Sequence, residues 1–570
     1  MWKSIHRHLC QSTNNNNQEE KECRVTWVII VIQFVIIIAL MLGVFSYFMT
    51  KTDDCDSSYS TRTYQNFELQ TLSPSNSPLT FRRRYKTTSA APQTIDIDFS
   101  EDIAPMIETT TTPHTTLLEV ETENSIEHYE HELLRAAVYS QNTVCSEIGK
   151  SILVRGGNAV DSAIATSFCL MAASPHKASI GGGVAILIKD TNGNITTVNA
   201  RETVPLNINL AELRKNPDLA SSGSKSAATP GTINGLYRAY QKYSSDKVEW
   251  KHLIIPTIQQ CVKGFDISND LAEAIKIPMI KSSIFMKKNI QNNRLYCNSL
   301  AATLTEITEY ESPLDGFYHG EMAQKMTREL NGYVNMADFE DYESDVNQAM
   351  CSDIDNDMKL CGPGPPSLFP VLANTYLYTK NMSNLQKVNE ITESSMHLAA
   401  KITDPMFSKT SRKYAEDLVR SSKRNEEKKD IHVDFNENGS TEVFVIDENN
   451  MTVSVVLSLG DLFGSAVYSS SGFFWNNKLK YFDLKHDNLP LSLQPGKVPT
   501  SKVSPIIVMK NNTILSVSGS QDFISLIHLL RDITHRNYDA SKVSPALFVQ
   551  NSAIVLKSNS NKNLYSITGY

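Results

Sequence analysis

Asp434 to Ser458 is the stretch that leaves the chain least choice. Val443 to Ile446 and Met451 to Leu457 are β-branched, apolar runs, and Asp447 to Asn450 between them is turn chemistry, so the segment reads as a β-hairpin. Asn438-Gly439 is a flexible turn ahead of the first strand, and Ser440 stands at that strand's mouth. A hydroxyl there has two readings. Gly-Ser before a strand is ordinary turn composition. Alternatively, the hydroxyl attacks the carbonyl of Gly439, breaks the chain, and becomes both an N-terminal amine and a nucleophile served by that amine as base.

The 570 residues accommodate two to four average domains, or one large α/β body with appendages. A net charge of −8, with basic residues scattered apart from Arg82-Arg83-Arg84, leaves no footprint for nucleic acid, and no nucleic-acid partner is expected. The Arg triplet reads as a solvated charge run in preference to a processing site.

Val25 to Phe48 carries no charge and is long enough to cross a hydrocarbon layer of about 30 Å as a helix. A cleaved signal peptide would have a shorter apolar core and a small-residue exit, which the polar lead ending Lys21-Glu-Cys-Arg24 does not match. Lys3, Arg7, Lys21 and Arg24 precede the span and Asp53, Asp54 and Asp56 follow it, so the positive-inside bias puts residues 1–24 in the cytoplasm. The expectation is a single-pass type II protein of the plasma membrane, its body outside the cell. Asn-x-Ser/Thr sequons at Asn194, Asn381, Asn438, Asn450 and Asn511 agree with that placement. An oxidising compartment permits disulfides among Cys145, Cys169, Cys261, Cys297, Cys351 and Cys361, whose spacings do not suggest zinc.

Residues 49–130 form a Ser/Thr-rich stalk, culminating in Thr109-Thr-Thr-Thr-Pro-His-Thr-Thr116, a composition that suits O-glycosylation. Globular sequence begins near His128. Cys145 to Arg155 and Ala159 to Ala173 read as two packed helices. Ile180-Gly181-Gly182-Gly183 then opens a hairpin, Val184 to Lys189 and Ile195 to Ala200, that ends on Arg201. A triple glycine permits close backbone approach and is weak evidence for phosphate binding without a following helix. Arg201 either grips a carboxylate bidentately or pairs with Glu202 at the surface.

The run from Asn142 to Asp190 followed by Asn199-Ala-Arg-Glu-Thr-Val-Pro205 resembles the large-subunit start of gamma-glutamyltransferases, also called glutathione hydrolases. The likeness continues through Ala228-Thr-Pro-Gly231, Phe317-Tyr318-His-Gly320, Phe463-Gly464-Ser465, Phe474-Trp-Asn-Asn477, Gln494-Pro-Gly-Lys497 and Gly569-Tyr570. It covers essentially everything from about residue 131 onward.

The resemblance implies a four-layer α/β/β/α N-terminal-nucleophile hydrolase fold on a membrane anchor, self-cleaved into a large-subunit-like region, 131–439, and a small-subunit-like region, 440–570. The substrate implied is glutathione or another gamma-glutamyl compound, with no cofactor and no metal. Ser440 takes the nucleophile's place, although a shift of one residue would give it to Thr441, and Ser458 takes the place of its supporting hydroxyl. The substrate carboxylate clamp falls on Arg201, Ser501 and Lys502. The resemblance pairs Cys145 with Cys169. Cys351 and Cys361 flank a hairpin turned by Asp353 to Asp357, so a second bridge is expected there.

Other positions depart from the pattern. The residues that would hold the substrate's α-amine fall on Gly460, Lys478 and Tyr481, and a Lys there repels an ammonium by on the order of 4 kcal/mol at about 4 Å and an effective dielectric of about 20. The oxyanion hole falls on Gly519-Ser520-Gln521-Asp522, where one glycine remains and an acid stands near. A glycan on Asn438 would crowd the scissile bond. Two alternatives to gamma-glutamyl transfer follow: a catalytically silent homologue that binds a ligand or partner, or an acyl hydrolase with a changed donor. Arg201, Lys478 and Lys502 together would suit a donor with two acidic groups and no amine.

Overall fold

The computed structural model describes residues 136–355, 357–423, 433–535, 546–550, 553–557 and 566–569, the last three segments and His535 by their backbone alone. All lie in the unit Thr122–Tyr570. The expected tail, membrane span and stalk, residues 1–130, lie outside the described residues, among which no helix is long and apolar enough to cross a membrane.

Two antiparallel sheets carry the body. The first contains β1 (Ala137–Ser140), β2 (Gly183–Lys189), β3 (Ile195–Ala200), β7 (Asp345–Gln348), β10 (Gly439–Ile446), β11 (Thr452–Gly460) and β16 (Ser566–Gly569), in the order β16-β1-β10-β11-β2-β3-β7. The second contains β8 (Met350–Asp355), β9 (Met358–Gly362), β12 (Ser504–Lys510), β13 (Thr513–Ser520), β14 (Ala546–Gln550) and β15 (Ala553–Lys557), in the order β15-β14-β13-β12-β9-β8. A small ribbon of β4 (Phe265–Asp266), β5 (Ile290–Gln291) and β6 (Arg294–Leu295) lies apart from both. The hairpin expected around Asp447 is β10–β11, at the centre of the first sheet.

Three apolar cores define four layers. Between the sheets Tyr139, Leu187, Phe444 and Ile446 meet Cys361, Ile507, Met509 and Val517, and Tyr139 stacks on Phe444 at 4.9 Å. On the outer face of the first sheet Val443, Val445, Val453 and Val455 pack against α1 (Thr143–Val154) and α2 (Ala159–Ala173). On the outer face of the second, Ile506 and Val508 pack against α3 (Phe369–Thr379) and α4 (Phe523–His535). Both faces of β10 and β11 are covered, which is why these strands read as nearly unbroken apolar runs.

The start of α2 is tied to the hairpin. Asn158 and Asp161 form a capping box, and the backbone N–H of Ala159 donates to Asp447 Oδ2 at 2.9 Å. Asp447 Oδ1 meanwhile accepts from the N–H groups of Asn449 and Met451, closing the turn. Cys145–Cys169 joins α1 to α2 and Cys351–Cys361 crosses the β8–β9 pair, both as expected. A third bridge, Cys261–Cys297, was not assigned from the sequence.

Candidate active site

Ser440 and Ser458 are opposite residues of the β10–β11 ladder, and a bulge at Gly439/Ser440 interrupts the register there. Cross-strand partners share a face, so the two hydroxyls lie on the side of the first sheet that faces the second. Thr441, the alternative nucleophile, pairs with Leu457 on the opposite face, and its Oγ1 donates to Gln141 Oε1 at 3.2 Å. The alternation of the strand therefore separates the two candidates and leaves Ser440 beside Ser458.

Close backbone approach explains two glycines. A Cβ on Gly439 would lie 2.1 Å from the carbonyl oxygen of Asp461, and one on Gly182 would lie 2.5 Å from that of Ser458. The triple glycine is thus a packing requirement behind the site, and the phosphate reading loses its support.

A fully buried carboxylate organises the cluster. Three residues before Ser440, Glu437 accepts from Ser458 Oγ at 2.9 Å and from Lys478 Nζ through Oε2, and from Ser501 Oγ through Oε1. Lys478 Nζ lies 2.8 Å from Ser458 Oγ. Burial alone would raise the Glu437 acid, but the Lys478 ammonium, the hydrogen bonds from Lys478 and Ser501, and the Arg201 charge outweigh it and hold it below the usual carboxylate range. Arg201 is 3 % exposed, donates through Nε to Asn199 Oδ1 at 3.0 Å, and leaves Nη1 buried without a hydrogen-bond partner. It is therefore no surface partner of Glu202, whose carboxylate is also buried and finds only its own backbone N–H. Burial pushes Glu202 up to about 7, opposed by Lys478 and Arg201 and reinforced by Glu437.

Of the expected residues, Arg201, Ser440, Ser458 and Ser501 converge here, and Lys502 does not. Consecutive residues of an extended segment point opposite ways, so with Ser501 turned inward, Lys502 reaches Asn436 Oδ1 at 3.1 Å instead. Lys478 supplies the cation that touches the carboxylate. Gly460 has φ of 96° and Tyr481 donates to Asp461 Oδ1 at 3.1 Å and to the Asn436 carbonyl at 3.2 Å. Asp461 is engaged by Lys480, Asn477 and Tyr481 together. Asp522, expected to threaten an oxyanion, caps α4 by accepting from the N–H groups of Ile524 and Ser525, so its charge is met by the helix end. The five sequon asparagines are exposed, Asn438 among them.

Glu437 was missed from sequence. Its signal was the two-residue period: Val433 and Phe435 are inward and apolar, so in an extended approach to β10 position 437 also points inward.

The family model for gamma-glutamyltranspeptidase matches residues 145–522. Glutathione hydrolase 2 of Arabidopsis thaliana is 27% identical over 444 residues, covering 69% of this chain and 75% of that protein. Glutathione hydrolase proenzyme 1 of Schizosaccharomyces pombe is 27% identical over 456 residues, covering 71% and 72%. Among solved structures, the cephalosporin acylase of Bacillus halodurans superposes with a TM-score of 0.63 at 15% identity, over 80% of this chain and 99% of the acylase, a likeness of fold. The matched segment runs from the first residue of the α1–α2 disulfide to the cap of α4 and takes in every residue of the cluster, so the chain belongs to the gamma-glutamyltranspeptidase family.

Proposed function

We propose that this protein is an amide hydrolase or acyltransferase of the gamma-glutamyltranspeptidase type, acting on acyl groups that end in a carboxylate, with Ser440 as nucleophile after self-cleavage. The observation that carries this reading is the pairing of Ser440 with Ser458, whose hydroxyl belongs to a buried carboxylate-binding cluster. Attack of Ser440 Oγ on the Gly439 carbonyl carbon breaks the peptide C–N bond and leaves an ester. The same step frees the Ser440 amine, and water then hydrolyses the ester to a Gly439 carboxylate and restores the Ser440 hydroxyl. That amine accepts the hydroxyl proton as Oγ attacks the donor's amide, the amine product departs, and water or another amine takes the acyl group. Arg201, Ser501 and Ser458 hold the donor's carboxylate. Glutathione is the donor to which the relatives' names point.

We place the body outside the cell on an anchor at Val25 to Phe48. Three disulfides and the exposure of Asn194, Asn381, Asn450 and Asn511 support an oxidising, glycosylating compartment.

A second reading, a silent homologue, is favoured by one observation: Glu437, paired with Lys478, itself fills the carboxylate-binding cluster. Intact mass after deglycosylation, on protein from a secretory host, separates the two. Two fragments meeting between Gly439 and Ser440 support the enzyme. A single chain, with Asn438 converted by deglycosylation, sinks it.

A further inference from the structure

A fully buried anion site of the described body is occupied by the chain itself. Glu437 brings its carboxylate to the hydroxyls of Ser458 and Ser501, the ammonium of Lys478 and the field of Arg201, whose Nη1 lacks a hydrogen-bond partner. Every one of these groups is buried. A site so furnished recognises a carboxylate. What accompanies that carboxylate is decided by the remaining charges.

Around Glu437 stand Arg201, Lys478 and, with its ammonium turned to Asn436, Lys502, against one further acid, Glu202. Asp404 lies near Arg201, but it is already used, accepting from the Val498 N–H at 3.0 Å and from the Met406 N–H at 2.9 Å. Asp461 is neutralised by Lys480 at 2.8 Å. A ligand carboxylate that replaces Glu437 leaves this balance as it was. A ligand that brings an ammonium as well adds a further cation to a buried site in which Lys478 and Arg201 already draw on the one remaining acid, Glu202.

We propose that Glu437 is an intramolecular stand-in for the acid end of the donor, and that the site beside Ser440 selects acyl groups whose terminal carboxylate has no adjacent ammonium, the glutaryl-type amides, over gamma-glutamyl amides. The proposal rests on the acyl-transfer reading of Ser440, since the donor occupies the site once cleavage at Gly439–Ser440 frees the segment that holds Glu437. It narrows the two-acid donor considered from sequence: Lys502 is engaged elsewhere, so one carboxylate is bound.

The test uses the full chain in a Ser440→Ala background, which cannot cleave. Glu437→Ala removes one CH₂ and the carboxylate, a gap of the size of acetate. Glycine is the same molecule with an ammonium added. Thermal melting of Ser440→Ala/Glu437→Ala is followed with acetate, glycine or chloride at equal ionic strength. Acetate is expected to recover at least half of the lost melting temperature, and glycine less than a quarter of what acetate recovers. Equal recovery by glycine, or none by acetate, overturns the proposal. If Glu437→Ala yields no folded chain, the further change Lys478→Met removes the orphaned cation. That triple variant should fold and be indifferent to acetate, and a response to acetate there overturns the role of Lys478. In wild-type protein that has cleaved, glutaryl p-nitroanilide should be turned over at least tenfold faster, in kcat/KM, than gamma-glutamyl p-nitroanilide, and the reverse order overturns the proposal. Absence of cleavage would count against the Ser440 reading alone, because the acetate arm does not depend on it.

Discussion

The ammonium of Lys478 lies 2.8 Å from the hydroxyl of Ser458, and both reach the same oxygen of Glu437. Two side chains from β11 and from the turn after Asn477 thus meet on a residue of the approach to β10, so the hairpin that presents Ser440 and its pocket are one electrostatic unit.

Breaking that unit on one side should cost much and breaking it on both sides little. Removing one partner of a buried pair strands the other charge, typically at about 3 to 5 kcal/mol, whereas removing both restores neutrality. Lys478→Met is expected to lose about 3 kcal/mol in urea unfolding, and Lys478→Met/Glu437→Gln to recover more than half of it. Additive losses in the double variant would contradict the pairing.

The two hydroxyls at the start of β10 should behave differently. Ser440→Ala should give a single uncut chain on mass analysis, while Thr441→Ala, altering a side chain that faces Gln141 across the strand, should still cleave between Gly439 and residue 440. Cleavage that follows Thr441 would move the nucleophile to the other face of the sheet.

Glu202 gives stability a pH dependence of definite sign. Its folded pKa, raised to about 7 by burial, lies above the unfolded value near 4.5. Between those values the folded chain keeps a proton that the unfolded chain has released, so the contribution is full below about pH 4.5 and is lost as pH rises towards 7. The loss amounts to roughly 3 kcal/mol at 1.36 kcal/mol per unit. Unfolding midpoints of Glu202→Gln should therefore fall less than those of wild type between pH 5 and 8. Glu442, also raised to about 7 by burial, keeps its own share of the slope in both proteins.

The Cys145–Cys169 bridge closes a loop with a sequence separation of 24. Cys145→Ala/Cys169→Ala should lower unfolding stability by about 3 kcal/mol. An unchanged midpoint would show that the α1–α2 packing and the Asn158 cap already hold the pair.

Local pattern was enough for the elements at the front of the body. The apolar runs and the Asp447 turn marked β10–β11, the 3.6 period marked α1 and α2, and the glycines at 181–183 were visible as a place of close approach, though not what approached them. The family pattern brought Arg201, Ser440, Ser458 and Ser501 together before any coordinates. Lys502 was placed wrongly because adjacency in sequence hides the alternation of an extended strand, and the helix-capping role of Asp522 was hidden because α4 begins only after it.

By itself, the sequence determined the α1–α2 pair, the β2–β3 hairpin and the β10–β11 hairpin that presents Ser440, because these follow from side-chain period and turn chemistry within a few residues, while Ser458 and Ser501 came from the family resemblance. Only the tertiary structure decided that Glu437, Lys478 and Arg201 share one dry site. Their charges come from segments tens to hundreds of residues apart, and the strength and sign of their interaction depend on burial, which no local pattern reports.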